Sequence, residues 1–126
     1  MTITPIYAGL LTILFIVLSV RVIRRRQAAR VTLGDGGDET LLRRSRAQAN
    51  FAEYVPLGLL LMALVELQDK PAWCVHLIGV LLLVGRVVHA YGFSRTPEPL
   101  RLRVAGMAMT FSALGVGAVA CLIPAF

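Results

Sequence analysis

Four long apolar runs constrain this chain more than any other feature. Residues 1–20 carry no charged side chain, residues 54–65 carry none, and the last run is uncharged from Val104 onward. A helix needs about 20 predominantly apolar residues to cross the hydrocarbon of a bilayer. Of 126 residues, 57% are hydrophobic and only 16% charged, more apolar surface than a soluble fold of this size can hide. The pattern predicts an all-α, integral membrane four-helix bundle forming a single domain over residues 1–126. The first arginines follow the first apolar run instead of preceding it, as in a first transmembrane helix and unlike a cleaved signal peptide.

Helices are expected over residues 3–20, with an extension toward Ile23, and over 39–67, 72–93 and 101–123. A glycine- and aspartate-rich loop at 34–38 breaks the first connection, a polar turn at 68–71 forms the second, and residues 94–99, with two prolines, form the third. Residues 21–46 hold eight arginines for a net charge of +5, residues 94–103 have a net of +2, and Asp69 and Lys70 cancel in the middle turn. By the positive-inside rule both basic loops are cytoplasmic and both termini lie outside, in a bacterial inner membrane. The overall +6 then reports topology and contact with anionic lipids. No nucleic-acid partner is expected, because the basic, aromatic-interleaved surface such binding uses is missing. Cys74 and Cys121 stand at neither metal-ligand nor redox-motif spacing, so no metal is expected, and packed thiols are favoured over a disulfide.

At about 100° per residue, Arg46, Asn50 and Glu53 share one face of the second helix. Ionisable groups at membrane depth are costly and face a bundle interior, a partner or a cavity. A cation, an amide and an anion on one stripe suit a zwitterionic ligand; the bland reading is polar glue between helices. On the third helix Arg86, His89 and Phe93 also share a side, with snorkelling of Arg86 and carbonyl capping by His89 as the plainer readings. Arg101 and Arg103 open the fourth helix about 200° apart, so at most one faces any given site.

The run Arg46-Ala-Gln-Ala-Asn50-Phe-Ala-Glu53-Tyr54-Val-Pro56-Leu resembles the second-helix signature of the MAPEG family, the membrane-associated proteins in eicosanoid and glutathione metabolism. Arg86-Val-Val-His89, followed by Phe93, is similar to the third-helix motif of that family. The resemblance implies a homotrimer with glutathione bound between neighbouring subunits. It implies that Arg46, Asn50, Glu53 and Tyr54 hold the peptide, that Arg86 and His89 complete the pocket, and that Arg101 stabilises the thiolate. The chain departs from the pattern at Phe93, where a tyrosine often stands, and in a third loop about one residue longer than in the leukotriene-forming branch. The expected activity is a glutathione transferase acting on a lipophilic electrophile, with lipid hydroperoxide reduction as a second activity. Two other classes remain: a non-catalytic lipid-binding member of the family, and a small proton-coupled multidrug exporter. Retention of the whole Arg/Asn/Glu/Tyr set argues against the first, and the arginines around Glu53 argue against the second.

Overall fold

The computed structural model describes residues 1–95 and 99–124. Pro97 and Glu98 of the third connection lie outside the described residues. Four helices account for nearly all of the rest: α1 (Thr4–Ala29), α2 (Glu39–Leu67), α3 (Ala72–Ser94) and α4 (Leu100–Leu122). Each is long and apolar enough to cross a membrane. At about 1.5 Å per residue even the 23-residue helices exceed the roughly 30 Å of hydrocarbon.

The helix boundaries follow from local chemistry. Proline in the first turn of α1 fixes φ where no intrahelical N–H is needed. This helix runs six residues past Ile23, through the arginines to Ala29, because Arg, Gln and Ala are good helix formers and no breaker interrupts them. It stops at Arg30, in the left-handed region at φ 58°. The connection then turns on Gly34, Gly36 and Gly37, all at positive φ. Asp38 caps α2 by accepting from the Leu41 N–H at 2.8 Å, and takes a two-pronged contact from Arg25 at 2.6 and 3.1 Å. The Arg25 guanidinium, with the Leu41 N–H, holds the Asp38 carboxyl below the usual carboxylate range.

The α3 helix is the centre of the bundle. Of its most apolar 18-residue window 44% is buried, against 22–28% for the other three helices. The first helix touches α2 and α3, the last touches α3 and α2, and α1 and α4 do not meet. They flank the α2–α3 pair from opposite sides. The core joins Leu11 and Leu18 of α1, Phe51, Val55 and Met62 of α2, Ile78 and Leu82 of α3, and Ala113 and Ala120 of α4. Large apolar side chains such as Ile13, Leu60, Val84 and Phe111 are exposed on the outside, as lipid-facing residues are.

Packing of α3 on α4 is backbone on backbone. A Cβ added at Gly106 would lie 2.6 Å from both N and Cβ of His89 and 2.7 Å from the Gly85 carbonyl oxygen. Only glycine permits this approach, the small-residue device by which membrane helices gain van der Waals contact without a hydrophobic driving force. The two cysteines are free thiols, Cys74 buried and Cys121 half-buried.

At the end away from the arginines, the α2–α3 turn holds the tips of the outer helices. Glu66 accepts the N–H groups of Thr2, Ile3 and Thr4 at 3.0, 2.8 and 2.8 Å, at the start of α1. Lys70, 6% exposed, donates to the Ile123 carbonyl at the end of α4. An anion meets a helix N-terminus and a cation a helix C-terminus, both favourable to the helix dipole. Neither role is visible in the sequence, where Glu66 falls within the expected 39–67 helix and Lys70 cancels Asp69 in the middle turn.

Candidate functional site

The polar residues singled out in the sequence gather at and just inside the arginine-rich end. A cleft of about 230 Å³ is lined by Glu39, Leu42, Arg43 and Arg46 of α2, Phe93 of α3 and Arg103 of α4. Arg43 reaches Glu39 at 3.2 Å and the Phe93 carbonyl at 3.4 Å. The Arg103 guanidinium lies over the Phe93 ring, 4.5 Å from its centroid. Phe93 therefore carries a cation on its face at the position where the family motif often has a hydroxyl.

From this cleft the expected stripe runs along α2. Arg46 and Glu53 pair loosely at 3.6 Å with both side chains about half exposed (49% and 52%), so each keeps room for another partner. Asn50, between them, is half-buried and points its carbonyl inward. Tyr54 packs edge-on against Phe111 of α4, ring centroids 5.5 Å apart.

Behind the stripe lies a buried network. Arg86 is 1% exposed. Its Nη2 donates to Asn50 Oδ1 at 2.7 Å and to His89 Nδ1 at 3.3 Å; its Nη1 donates to Thr110 Oγ1 at 3.3 Å and Met107 Sδ at 3.8 Å. Guanidinium has no acceptor atom, so His89 Nδ1 must accept and His89 is the Nε2–H tautomer. Each of these four partners is neutral, and the fifth donor, Nε–H, is buried without a partner. Thr110 completes the relay by donating to the Gly106 carbonyl at 2.8 Å. The glycine contact of α3 with α4 thus brings Thr110 and Met107 to Arg86. Sequence reasoning passed over both; the signal for Thr110 was a hydroxyl one helical turn beyond a glycine within an uncharged run.

Arg46, Asn50, Glu53 and Tyr54 therefore lie along an accessible side of α2, while Arg86 and His89 (also 1% exposed) lie inside the subunit behind Asn50. Arg101 is exposed in the first turn of α4, and Arg103 is the one of the two that lines the cleft. Arginines of the first loop are largely engaged with their own chain. Besides the Arg25–Asp38 contact, Arg21 reaches Ser94 at 3.2 Å, Arg26 the Gly34 carbonyl at 2.6 Å, and Arg44 the Arg21 carbonyl at 3.2 Å. Gln48, off the stripe, donates to Ser19 of α1 at 3.0 Å. His76 is exposed and bonded to Tyr7 at 2.9 Å.

Four helices each able to cross a membrane, with a polar, arginine-lined recess at one end, define a polytopic helical membrane protein. The chain belongs to the MAPEG family, whose model matches residues 4–123. It is also similar to the inner membrane protein YecN of Escherichia coli strain K12, at 38% identity over 112 residues, 89% of this chain and 84% of that protein. The same figures hold for YecN of Escherichia coli O6:H1 strain CFT073.

Proposed function

We propose that this protein is a membrane-embedded glutathione transferase of the inner membrane, working as a homotrimer that binds glutathione between subunits. One observation carries the reading: α2 presents a cation, an amide and an anion in order, Arg46, Asn50 and Glu53, beside a cleft with two further arginines. Glutathione carries two carboxylates, one ammonium and a thiol. Arg46 and Asn50 suit a carboxylate and Glu53 the ammonium, through charge-assisted hydrogen bonds; the ligand would exchange with the loose Arg46–Glu53 pair. Tyr54 and Phe111 form the apolar wall on the membrane side.

A thiol with a reference pKa of about 8.5 is mostly protonated near neutrality, so the site must favour its anion. The first turn of α4 is built for that. Its N-cap, Pro99, makes no side-chain cap hydrogen bond, and Arg101 adds a full positive charge to the positive pole of the helix. Arg103 is committed to the Phe93 ring of its own subunit, whereas Arg101 points outward and meets a thiol held at a neighbouring subunit. The proton leaves to water, the thiolate sulfur forms a C–S bond with an electrophilic carbon arriving from the lipid, and the leaving group takes the displaced electron pair. With a lipid hydroperoxide as electrophile, the thiolate sulfur instead takes the terminal oxygen as the O–O bond breaks, the alkoxide leaves and picks up a proton to become the alcohol, and a second thiol displaces water from the resulting sulfenic acid to close the disulfide.

The test is titration of the purified protein with glutathione while following thiolate ultraviolet absorbance. Wild type should generate thiolate near pH 7. Arg101→Ala should lower thiolate formation and kcat on the order of a hundredfold with modest change in affinity, the scale for one charge-stabilising donor in a dry site. Arg46→Ala and Arg103→Ala should chiefly raise KM. No thiolate signal in wild type would refute the transferase reading. Loss of thiolate in Arg103→Ala, with Arg101→Ala silent, would move the sulfur into the subunit's own cleft.

A further inference from the structure

The buried network gives Arg86 a role distinct from ligand contact. At 1% exposure it cannot touch a ligand on the stripe, yet it holds the one group of Asn50 that would decide what the stripe recognises. An asparagine side chain can present either a carbonyl or an amide, and a half turn about its last bond exchanges them. Here the choice is fixed by chemistry: guanidinium only donates, so the group facing Arg86 Nη2 at 2.7 Å has to be Oδ1. The two Nδ2 donors are then directed away from the buried network, on a residue that is half-buried and shares a face with Arg46 and Glu53.

We infer that Arg86 is a positioning residue: by taking up the Asn50 carbonyl it turns the Asn50 amide outward and sets that place on the stripe to accept a carboxylate. Along α2 the order becomes donor at Arg46, donor at Asn50, acceptor at Glu53. With the opposite rotamer the order would be donor, acceptor, acceptor, and a carboxylate would meet a carbonyl oxygen. The three other bonds to Nη1 and Nη2 fix the guanidinium in turn, through Thr110 and Met107 of α4 and His89 of α3. All of these partners are neutral, and the carboxylate that acts on the buried guanidinium is that of Glu53 on the stripe.

The inference takes its ligand from the glutathione reading, but the amide orientation stands without it, and two measurements separate the two. Asn50 is the sole asparagine in the sequence, so ¹⁵N-asparagine labelling gives a single side-chain NH₂ signal. In the ligand-free protein in nanodiscs, Arg86→Met should shift that signal and speed its C–N rotation, and Arg86→Lys, which restores one donor, should bring it back toward wild type. An unchanged signal in Arg86→Met overturns the inference, whatever the protein binds. The second measurement compares glutathione with its two monoamides, one at each carboxylate. Arg86→Met should weaken glutathione binding about tenfold to a hundredfold, the scale of a hydrogen bond to a charged group. That penalty should persist for one monoamide and vanish for the other, whose carboxylate is the one Asn50 meets. An equal loss for all three ligands would mean that Arg86 only supports the fold, and would overturn the positioning role.

Discussion

Replacing Gly106 by alanine tests whether the α3–α4 backbone contact supports both the bundle and the site. The added methyl would stand 2.6 Å from the His89 backbone nitrogen and 2.7 Å from the Gly85 carbonyl oxygen, and neither atom can rotate away. Overpacking costs about 1–3 kcal/mol, and rigid backbone neighbours place this site in the upper half of that range. The helix propensity gained on losing a glycine returns about 0.5–1 kcal/mol. A net loss of about 1–2.5 kcal/mol corresponds to a Tm lower by roughly 2–20 °C, at 2–8 °C per kcal/mol for domains of comparable size. The site should suffer as well. Thr110, one turn along, bonds Arg86 at 3.3 Å, so a shift of a few tenths of an ångström in α4 breaks that bond. Gly115→Ala is the control, since a Cβ there meets nothing within 4 Å; it should be neutral or slightly stabilising. The assay is thermal unfolding of both variants in the same detergent, with glutathione affinity measured alongside. A Gly106→Ala protein as stable as Gly115→Ala would falsify the close approach of the two helices.

Glu66→Ala should free the three N–H groups at the start of α1 and cost about 1.5–3 kcal/mol, the range for hydrogen bonds to a charged group; hydrogen exchange should rise at Thr2, Ile3 and Thr4 and not in α3. Asp38 titrates below its unfolded value of about 3.9, so its ion pair stabilises the fold fully above that pH, and the contribution disappears as pH falls through the lowered folded-state value. Asp38→Asn keeps a capping oxygen and loses the charge, so its unfolding midpoint should change less than wild type's between pH 5 and pH 3. Cysteine placed at Gly36 and labelled on intact cells tests orientation: strong labelling from outside would reverse the proposed topology.

How much of this was legible beforehand differs between elements. The second helix was read to the residue, Glu39–Leu67, because an acidic first turn after glycine-rich punctuation and a polar turn after the last apolar residue mark both ends. The first helix is longer than its apolar run indicates, because the arginines that flank the run are also good helix residues. The stripe of Arg46, Asn50 and Glu53 was visible from periodicity, since all three belong to one helix. What periodicity could not supply was depth within the subunit. Arg86 and Arg46 look alike as arginines at membrane depth, but one is sealed by glycine packing against α4 and the other is half exposed. That distinction depends on which helices touch, and so on contacts between residues 21 to 36 positions apart.

The clamp at Glu66 and Lys70 has a consequence for how the protein is made. Thr4 and Glu66 are 62 residues apart, so at about 5–20 residues per second the first span waits some 3–12 s before its partner leaves the ribosome. Until then the leading amides of α1 have no carboxylate and must stay in water or headgroups. Lys70 waits in turn for Ile123, another 53 residues. The end of the bundle farthest from the arginines therefore closes only once residue 123 has been synthesised. A nascent chain halted before residue 66 should leave its first helix inserted but unanchored, open to slide within the bilayer.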